Sequence, residues 1–402
     1  MNVSWDKLRQ QMPVAAQWAY FDHAAVAPLS LPAAQALTDW ANEMVVNGDA
    51  NWSEWHRRVE HVRQTVATLL RCLAEEVAFV PNTTSGLSLI AESFRWQSGD
   101  NVVVPAGEFP SNMLPWRNLA DRGVEVRVVP CDIEACDTDQ LLAAADERTR
   151  IVTVSWVGYA TGWRQDLDEL ADKCHRRGIL LCVDAIQGLG VIPLDVSRTP
   201  VDFLIADGHK WLLGPEGAGV LFIRREHLDR LRPLVVGWNS LRGAGNFNRR
   251  ADDIDLSPPD REQRFLIAPP LRLQELKASA ARLEGGSANV GGILALGASL
   301  ELLLSWGVEA VWAQLQEVSG RMRSLLEECG ATVISANDDR RRSGIVACEF
   351  PGRSTDRLRE RALQQGVVLN LRRGFVRLSP HAYTNDDDLQ CLRVVLTDLV
   401  GG

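Results

Sequence analysis

The amino-acid sequence predicts an α/β fold, with a large domain on a seven-stranded, mainly parallel sheet and a smaller α+β C-terminal domain after it. Three observations lead there. Short apolar, β-branched runs alternate with amphipathic stretches between residues 77 and 223. Several runs are apolar at nearly every position, as strands covered on both faces must be. Beyond residue 234 the alternation dissolves into Gly, Asn, Asp, Pro and Arg, and a second, mixed pattern follows.

Taken in order, the predicted strands are 77–80, 101–104, 125–129, 151–155, 179–183, 202–206 and 219–223. Helical pattern separates most of them. Residues 166–177 put Leu167, Leu170, Ala171 and Cys174 on one face, and 86–94 is amphipathic as well. Strand, helix, strand in repetition describes a doubly wound sheet. Residues 234–270 read as a long irregular connection, and 291–306 and 310–329 as helices. The tail reads as strands over 332–335 and 344–350, a helix over 355–365, strands over 367–371 and 375–379, and a last helix from Asp386. The expected domains are 17–275 for the large unit and 1–16 with 276–402 for the small one.

The chain has 402 residues, 46% hydrophobic and 24% charged, an ordinary globular mixture. Lys plus Arg is 43 against 52 for Asp plus Glu, a net charge of −9, which disfavours sequence-independent binding to nucleic acid. The first twenty residues carry Asp6, Lys7 and Arg9 without an apolar core, so no signal peptide is expected. No run approaches the ~20 apolar residues of a membrane span. The 8 cysteines are scattered, and the closest pair, Cys131 and Cys136, has no second pair to complete a zinc site. Reduced thiols in a cytoplasmic protein and no metal are the expectation.

The chemistry concentrates at the ends of predicted strands. After the run ending at Ala206, a polar turn presents Asp207, His209 and Lys210, and Gly214, Gly217 and Gly219 follow. Ligands of open α/β sheets bind at such carboxyl ends. Asp184 closes another apolar run, where burial demands a cationic or hydrogen-bonding partner. Asn82, Thr83, Thr84, Ser85 and Gly86 open an amphipathic stretch, so hydroxyls and helix-start N–H groups make an anion cradle. Each feature alone is common: a solvated lysine, an N-cap aspartate, a capping box. Together they match pyridoxal 5'-phosphate, which needs an amine for a Schiff base, a carboxylate for its pyridine nitrogen and a phosphate site.

Around these residues the chain resembles the class V aminotransferase and cysteine desulfurase superfamily, fold type I pyridoxal-phosphate enzymes. The similarity rests on Tyr20-Phe21-Asp22-His23-Ala24-Ala25, on Phe79 to Thr84, on Val183 to Gln187, on Asp207 to Lys210 and on Leu283 to Val290. Arg377 falls where that superfamily binds the substrate carboxylate. The resemblance implies that Lys210 bonds the cofactor, Asp184 faces the pyridine nitrogen and Gln187 meets the ring hydroxyl oxygen. It implies that Thr83, Thr84 and His209 hold the phosphate, with Ser287 reaching in from the second subunit of a homodimer with shared sites. Phe109 takes the place of the residue that stacks on the ring, and His23 is a further substrate-side candidate.

Departures from the pattern shape the functional expectation. Phe109 stands where desulfurases place a histidine, and residues 368–376 hold no cysteine ahead of Arg377. Asp207 replaces a serine beside the phosphate, so it is expected to turn away or pair with a cation. Tyr159, Trp238, Arg242 and Arg372 are unranked candidates around the substrate. The chain is therefore expected nearer to kynureninase-like, epimerase-like and C–S lyase-like members than to true cysteine desulfurases. The expected activity is Cα carbanion chemistry on a small amino acid, as a lyase (C–S or C–C cleavage) or an epimerase. A class V aminotransferase, a cysteine desulfurase-like protein and a non-catalytic binder of the cofactor are the alternatives.

Overall fold

Seven strands form one sheet in the order Val77–Val80, Gly219–Ile223, Phe203–Asp207, Leu180–Asp184, Thr149–Ser155, Asn101–Pro105, Glu125–Val129. Gly219–Ile223 runs antiparallel to both of its neighbours, and the remaining pairings are parallel. The sheet is thus mainly parallel, as the apolar runs require. Every residue of Asn101–Pro105, Leu180–Asp184, Phe203–Asp207 and Gly219–Ile223 is buried, so these strands are covered on both faces. This computed structural model describes residues 4–244 and 271–401, and the rest of the expected irregular connection, 245–270, lies outside the described residues.

The sheet order places functional ends side by side. Asp184 is in register with Ser155 on one side and Ile205 on the other. The turn after Asp207 therefore opens beside Asp184 at the carboxyl edge, and Lys210 lies in that turn. The helix Thr83–Ser93 starts at the same edge. Gly86 lets it sit close: a Cβ there would stand 2.6 Å from Cγ2 of Ile205, so any side chain would push the helix off the sheet.

Two helices that the sequence pattern did not single out, Leu31–Asn47 and Trp52–Leu70, pack against the apolar helix Val290–Trp306. The helices expected at 166–177 and 310–329 are Leu167–Arg176 and Val308–Glu328. Toward the C-terminus a four-stranded antiparallel sheet runs Asn370–Arg372, Phe375–Leu378, Val346–Glu349, Thr332–Val333. It packs on its own core of Phe21, Met322, Leu326, Cys348, Leu378 and Leu392. The single strand expected at 367–371 is divided because its halves have different partners. Val367–Val368 pairs parallel with Ala19–Tyr20, whereas Asn370–Arg372 pairs with Phe375–Leu378. Asp22 bridges Ser379 next to that first pair, which carries Asp22 and His23 to the C-terminal sheet. Among the described residues no single helix is long and apolar enough to cross a membrane.

Candidate active site

Asp184 ends its strand buried, with a carboxylate that accepts from Ile186 N–H at 3.1 Å. Among the described residues it makes no ion pair, and burial pushes its pKa up to about 6, with the nearby Lys210 charge pulling the other way. Such an under-satisfied carboxylate fits a protonated pyridine nitrogen. Lys210 is half-buried, and desolvation takes its pKa down to about 8 despite Asp184. Asp207 also favours its charge, whereas Arg377 and Arg372 oppose it. Its Nζ stands 5.8 Å from the centre of the Phe109 ring. An amine with that pKa is largely protonated yet has a usable neutral fraction at neutral pH. In cofactor-free protein, reductive methylation of Lys210 should accelerate as pH rises through about 8, well below the range of an ordinary lysine; a midpoint above 10 contradicts the desolvated setting.

The helix Thr83–Ser93 begins with Asn82, whose side chain accepts from Ser85 N–H at 2.8 Å. The opening N–H groups of a helix lack intrahelical partners and carry the positive end of its dipole. Thr83 Oγ1 accepts from Asp207 N–H at 3.1 Å, which ties the cradle to the lysine turn, and Thr84 Oγ1 lies 2.7 Å from Ser111 Oγ. Asp207 turns onto its neighbours: one oxygen accepts from Gly208 N–H at 2.7 Å and the other lies 2.9 Å from His209 Nδ1. The Asp207 carboxylate thus lies against the lysine turn and His209.

Phe109 is exposed and meets Tyr159 edge to face at 5.2 Å. The preceding Glu108 accepts from Ser155 N–H at 2.6 Å, and burial of its carboxyl pushes its pKa up to about 7. Gln187 is buried, donates to the Ala24 carbonyl and accepts from Trp211 Nε1, each at 3.0 Å. These bonds fix its amide edge under the site.

Arg377 is buried, donates to the Tyr159 carbonyl at 2.7 Å and reaches Asp22 at 3.2 Å. Its buried Nε has no hydrogen-bond partner among the described residues, an open donor suited to a carboxylate. Asn370 donates to the second oxygen of Asp22 at 2.7 Å. Changing Arg377 to alanine would strand Asp22, a loss of about 3–5 kcal/mol typical of a broken buried pair. Arg377→Ala should therefore lower the melting temperature as well as weaken substrate binding. The double variant Asp22→Asn with Arg377→Ala should recover most of the stability and none of the binding, read by thermal melts and KM.

The structure encloses His23 in the interior. Its ring is fully buried, Nδ1 lies 2.9 Å from the Ser379 carbonyl and Nε2 lies 2.8 Å from Tyr383 Oη. Burial lowers its pKa to about 4, and it packs on Trp211 and His381 as a neutral core residue. Arg372 donates to Asn370 at 2.8 Å, and Arg242 donates to the Leu276 carbonyl at 3.0 Å. Trp238 contacts Trp52. Ser287 is exposed on a groove shared with Ser85, Pro81, Leu234 and Val235. Sequence reasoning missed Glu108 and the Asp22–Asn370 pair. Glu108 had a signal in its place next to Phe109; nothing local marks Asp22 as a partner of a residue 348 positions away.

Residues 19–252 and 265–390 match the family described as Aminotransferase class-V. The chain belongs to that family. A probable cysteine desulfurase of Methanothermobacter thermautotrophicus is 29% identical, over 98% of each chain. A cysteine desulfurase of Dickeya dadantii is 32% identical over 77% of this chain and 73% of its own. Among solved structures, the apo cysteine desulfurase of Thermococcus onnurineus NA1 aligns with a TM-score of 0.84 at 22% identity, covering 100% of this chain and 99% of its own. The cystine C–S lyase C-DES, in complex with its product cysteine persulfide, aligns with a TM-score of 0.85 at 22% identity, over 97% and 100%. The expectation of a place nearer to kynureninase-like, epimerase-like and C–S lyase-like members than to true cysteine desulfurases is not supported, since both sequence relatives bear the desulfurase name. That expectation leaned on single positions, Phe109 and the missing cysteine, which weigh little against similarity along the whole chain.

The class-V chain has the fold type I architecture, and its cofactor is pyridoxal phosphate. Its residues fit the group: a desolvated amine, a buried carboxylate without a cation, and a helix start rich in hydroxyls meet at one sheet edge. The stretch ahead of Arg377 is a two-residue turn, Arg373 and Gly374, with φ of 53° and 88°. Cys348 is fully buried with its thiol pushed up to about 12, and Cys391 is exposed on the last helix.

Proposed function

We propose that this class-V enzyme is a carbon–sulfur lyase acting on an α-amino acid, with sulfur leaving on a small molecule. The observation that carries the reading is Lys210, an amine of lowered pKa facing Asp184 and Phe109 with Arg377 nearby. When bound, the cofactor supplies an electron sink for charge developing at the substrate's Cα. Arg377 holds the substrate carboxylate through its fork and so orients the Cα–H bond. Lys210 in its neutral form takes the proton from Cα and returns a proton to the leaving side. Asp184 keeps a proton at the pyridine nitrogen, and Thr83, Thr84 and His209 hold the phosphate. Phe109 covers the ring and excludes water, and having no titratable group it moves no proton. The names of the relatives support sulfur as the leaving atom. The tight turn before Arg377 supports a release that does not pass through a protein thiol there.

Incubation with L-cysteine, L-cystine and thioether amino acids should give pyruvate with sulfide, thiol or persulfide. The relatives' names favour a second reading, cysteine desulfurization, and alanine with a protein-bound persulfide would replace the lyase by it. Keto acid formed only with an amino acceptor, or an isomerised amino acid, would remove both.

We further propose a homodimer with shared sites. Leu234 and Val235 are exposed, and the groove they border runs from Leu283 and Ser287 to Ser85 beside the phosphate cradle. A second copy would cover this apolar surface and bring its Ser287 to the cradle. Ser287→Ala should then weaken cofactor binding by about 1.5–3 kcal/mol, the value of a hydrogen bond to a charged group. Mixing Lys210→Ala protein with Ser287→Trp protein should restore one working site per mixed dimer; no recovery would contradict sharing.

A further inference from the structure

Cys131 and Cys136, which no metal site absorbs, flank a tight turn against the wall of the candidate site. Ala135 N–H donates to the Asp132 carbonyl at 2.8 Å, and Asp132 and Ala135 form an antiparallel bridge. Between them Ile133 and Glu134 have φ of 40° and 71°. Two consecutive left-handed residues make the kind of two-residue turn that glycine and asparagine favour, and a β-branched isoleucine there is strained. The pair next outward from the bridge is Cys131 and Cys136. Opposed residues beyond a hydrogen-bonded pair bring their Cα atoms to about 4.5 Å, inside the range a disulfide requires. Burial and then the neighbouring Cys131 thiol raise the pKa of Cys136, and Cys131 itself donates to the Val129 carbonyl at 3.1 Å. Cys136 is buried and Cys131 is half-buried, so one sulfur is reachable and the other stands behind it.

The turn is fastened to the site through Glu134. Its carboxylate accepts from Ala160 N–H at 3.0 Å, from Thr161 N–H at 2.8 Å and from Thr161 Oγ1 at 2.7 Å. Tyr159, just before these residues, faces Phe109 and lends its carbonyl to Arg377. Glu134 and Cys136 line the same cavity as Glu108, Ser155 and Tyr159.

We propose that Cys131 and Cys136 are a thiol–disulfide couple, oxidised by a low-molecular-weight disulfide to an intramolecular bond that fixes the Glu134 turn against the Tyr159 wall. Cys131 gives its proton to solvent and attacks the external disulfide, whose S–S bond breaks with release of one thiol. The sulfur of Cys136 then attacks Cys131, and the second thiol leaves with the proton from Cys136. Two electrons pass from the cysteine pair to the external disulfide, which ends as two thiols. The proposal does not depend on the reaction assigned above.

The test is oxidised glutathione added to the cofactor-bound enzyme, followed by alkylation, digestion and mass spectrometry. The peptide spanning 131–136 should become lighter by two hydrogens and resist alkylation, and dithiothreitol should reverse this. Cys136→Ser should hold glutathione on Cys131 without closing the bond. Hydrogen exchange at the Ala160 and Thr161 amides should slow severalfold on oxidation of the wild type and not in Cys136→Ser. Glutathione appearing on Cys391 while Cys131 and Cys136 stay free would overturn the couple. A 131–136 bond with unchanged exchange at Ala160 and Thr161 would overturn its link to the wall.

Discussion

Lys210→Ala protein, free of cofactor, should fold and melt no lower than the cofactor-free parent, and with cofactor it should turn over its amino acid about 10⁴-fold more slowly, the upper reach of a lost general base. The stability half of that expectation comes from the surroundings of the amine. Desolvation lowers its pKa to about 8, and among the described residues it makes no ion pair, so alanine removes an unfavourably placed charge at the cost of a long approach to the Phe109 ring. The activity half comes from chemistry that neither Gln187 nor His23 can take over. Gln187 is committed to Ala24 and Trp211, and His23 is sealed in the core. Melting curves and single-turnover rates on the same preparation separate the two halves. A variant that keeps activity within tenfold would remove Lys210 from the mechanism.

Asp184→Asn is expected to cost turnover roughly 10²–10³-fold, the scale on which preorganised electrostatic partners act. Asparagine keeps the size and the bond from Ile186 but cannot balance a proton on the pyridine nitrogen. Because Asp184 has been desolvated without a cation in contact, its neutral replacement should leave the melting temperature unchanged or higher. The pKa of about 6 sets a pH dependence with a definite sign in cofactor-free protein: below that value the carboxyl is neutral, above it charged. Cofactor binding should therefore tighten as pH rises through this region, and the dependence should vanish in Asp184→Asn. Equilibrium titration of the cofactor by absorbance reads both.

The sheet was legible because burial on both faces forces continuous apolar runs, and each of the seven predicted runs is a strand with small shifts at its ends. The site ends were legible for the same reason: Asp184 and the Asp207–Lys210 turn interrupt apolar runs where a doubly wound sheet places ligands. The long helices Leu31–Asn47 and Trp52–Leu70 were less visible. Leu31–Asn47 buries only Ala33 within this chain, so its sequence carries little amphipathic signal. The burial of His23 was not legible, because it depends on Ser379, Tyr383 and Trp211, all far away in the chain. Asp22 and Glu108 were hidden in the same way, through partners that only the folded chain supplies. Asp207 was expected to turn away or pair with a cation, and it lies 2.9 Å from His209 Nδ1.

The measurement that tests the central claim most directly is borohydride reduction of the cofactor-loaded protein followed by peptide mapping. A pyridoxyl group on Lys210, with the label lost in Lys210→Ala, is the predicted result. A label on any other lysine, or a loaded protein that borohydride leaves unlabelled, would contradict it.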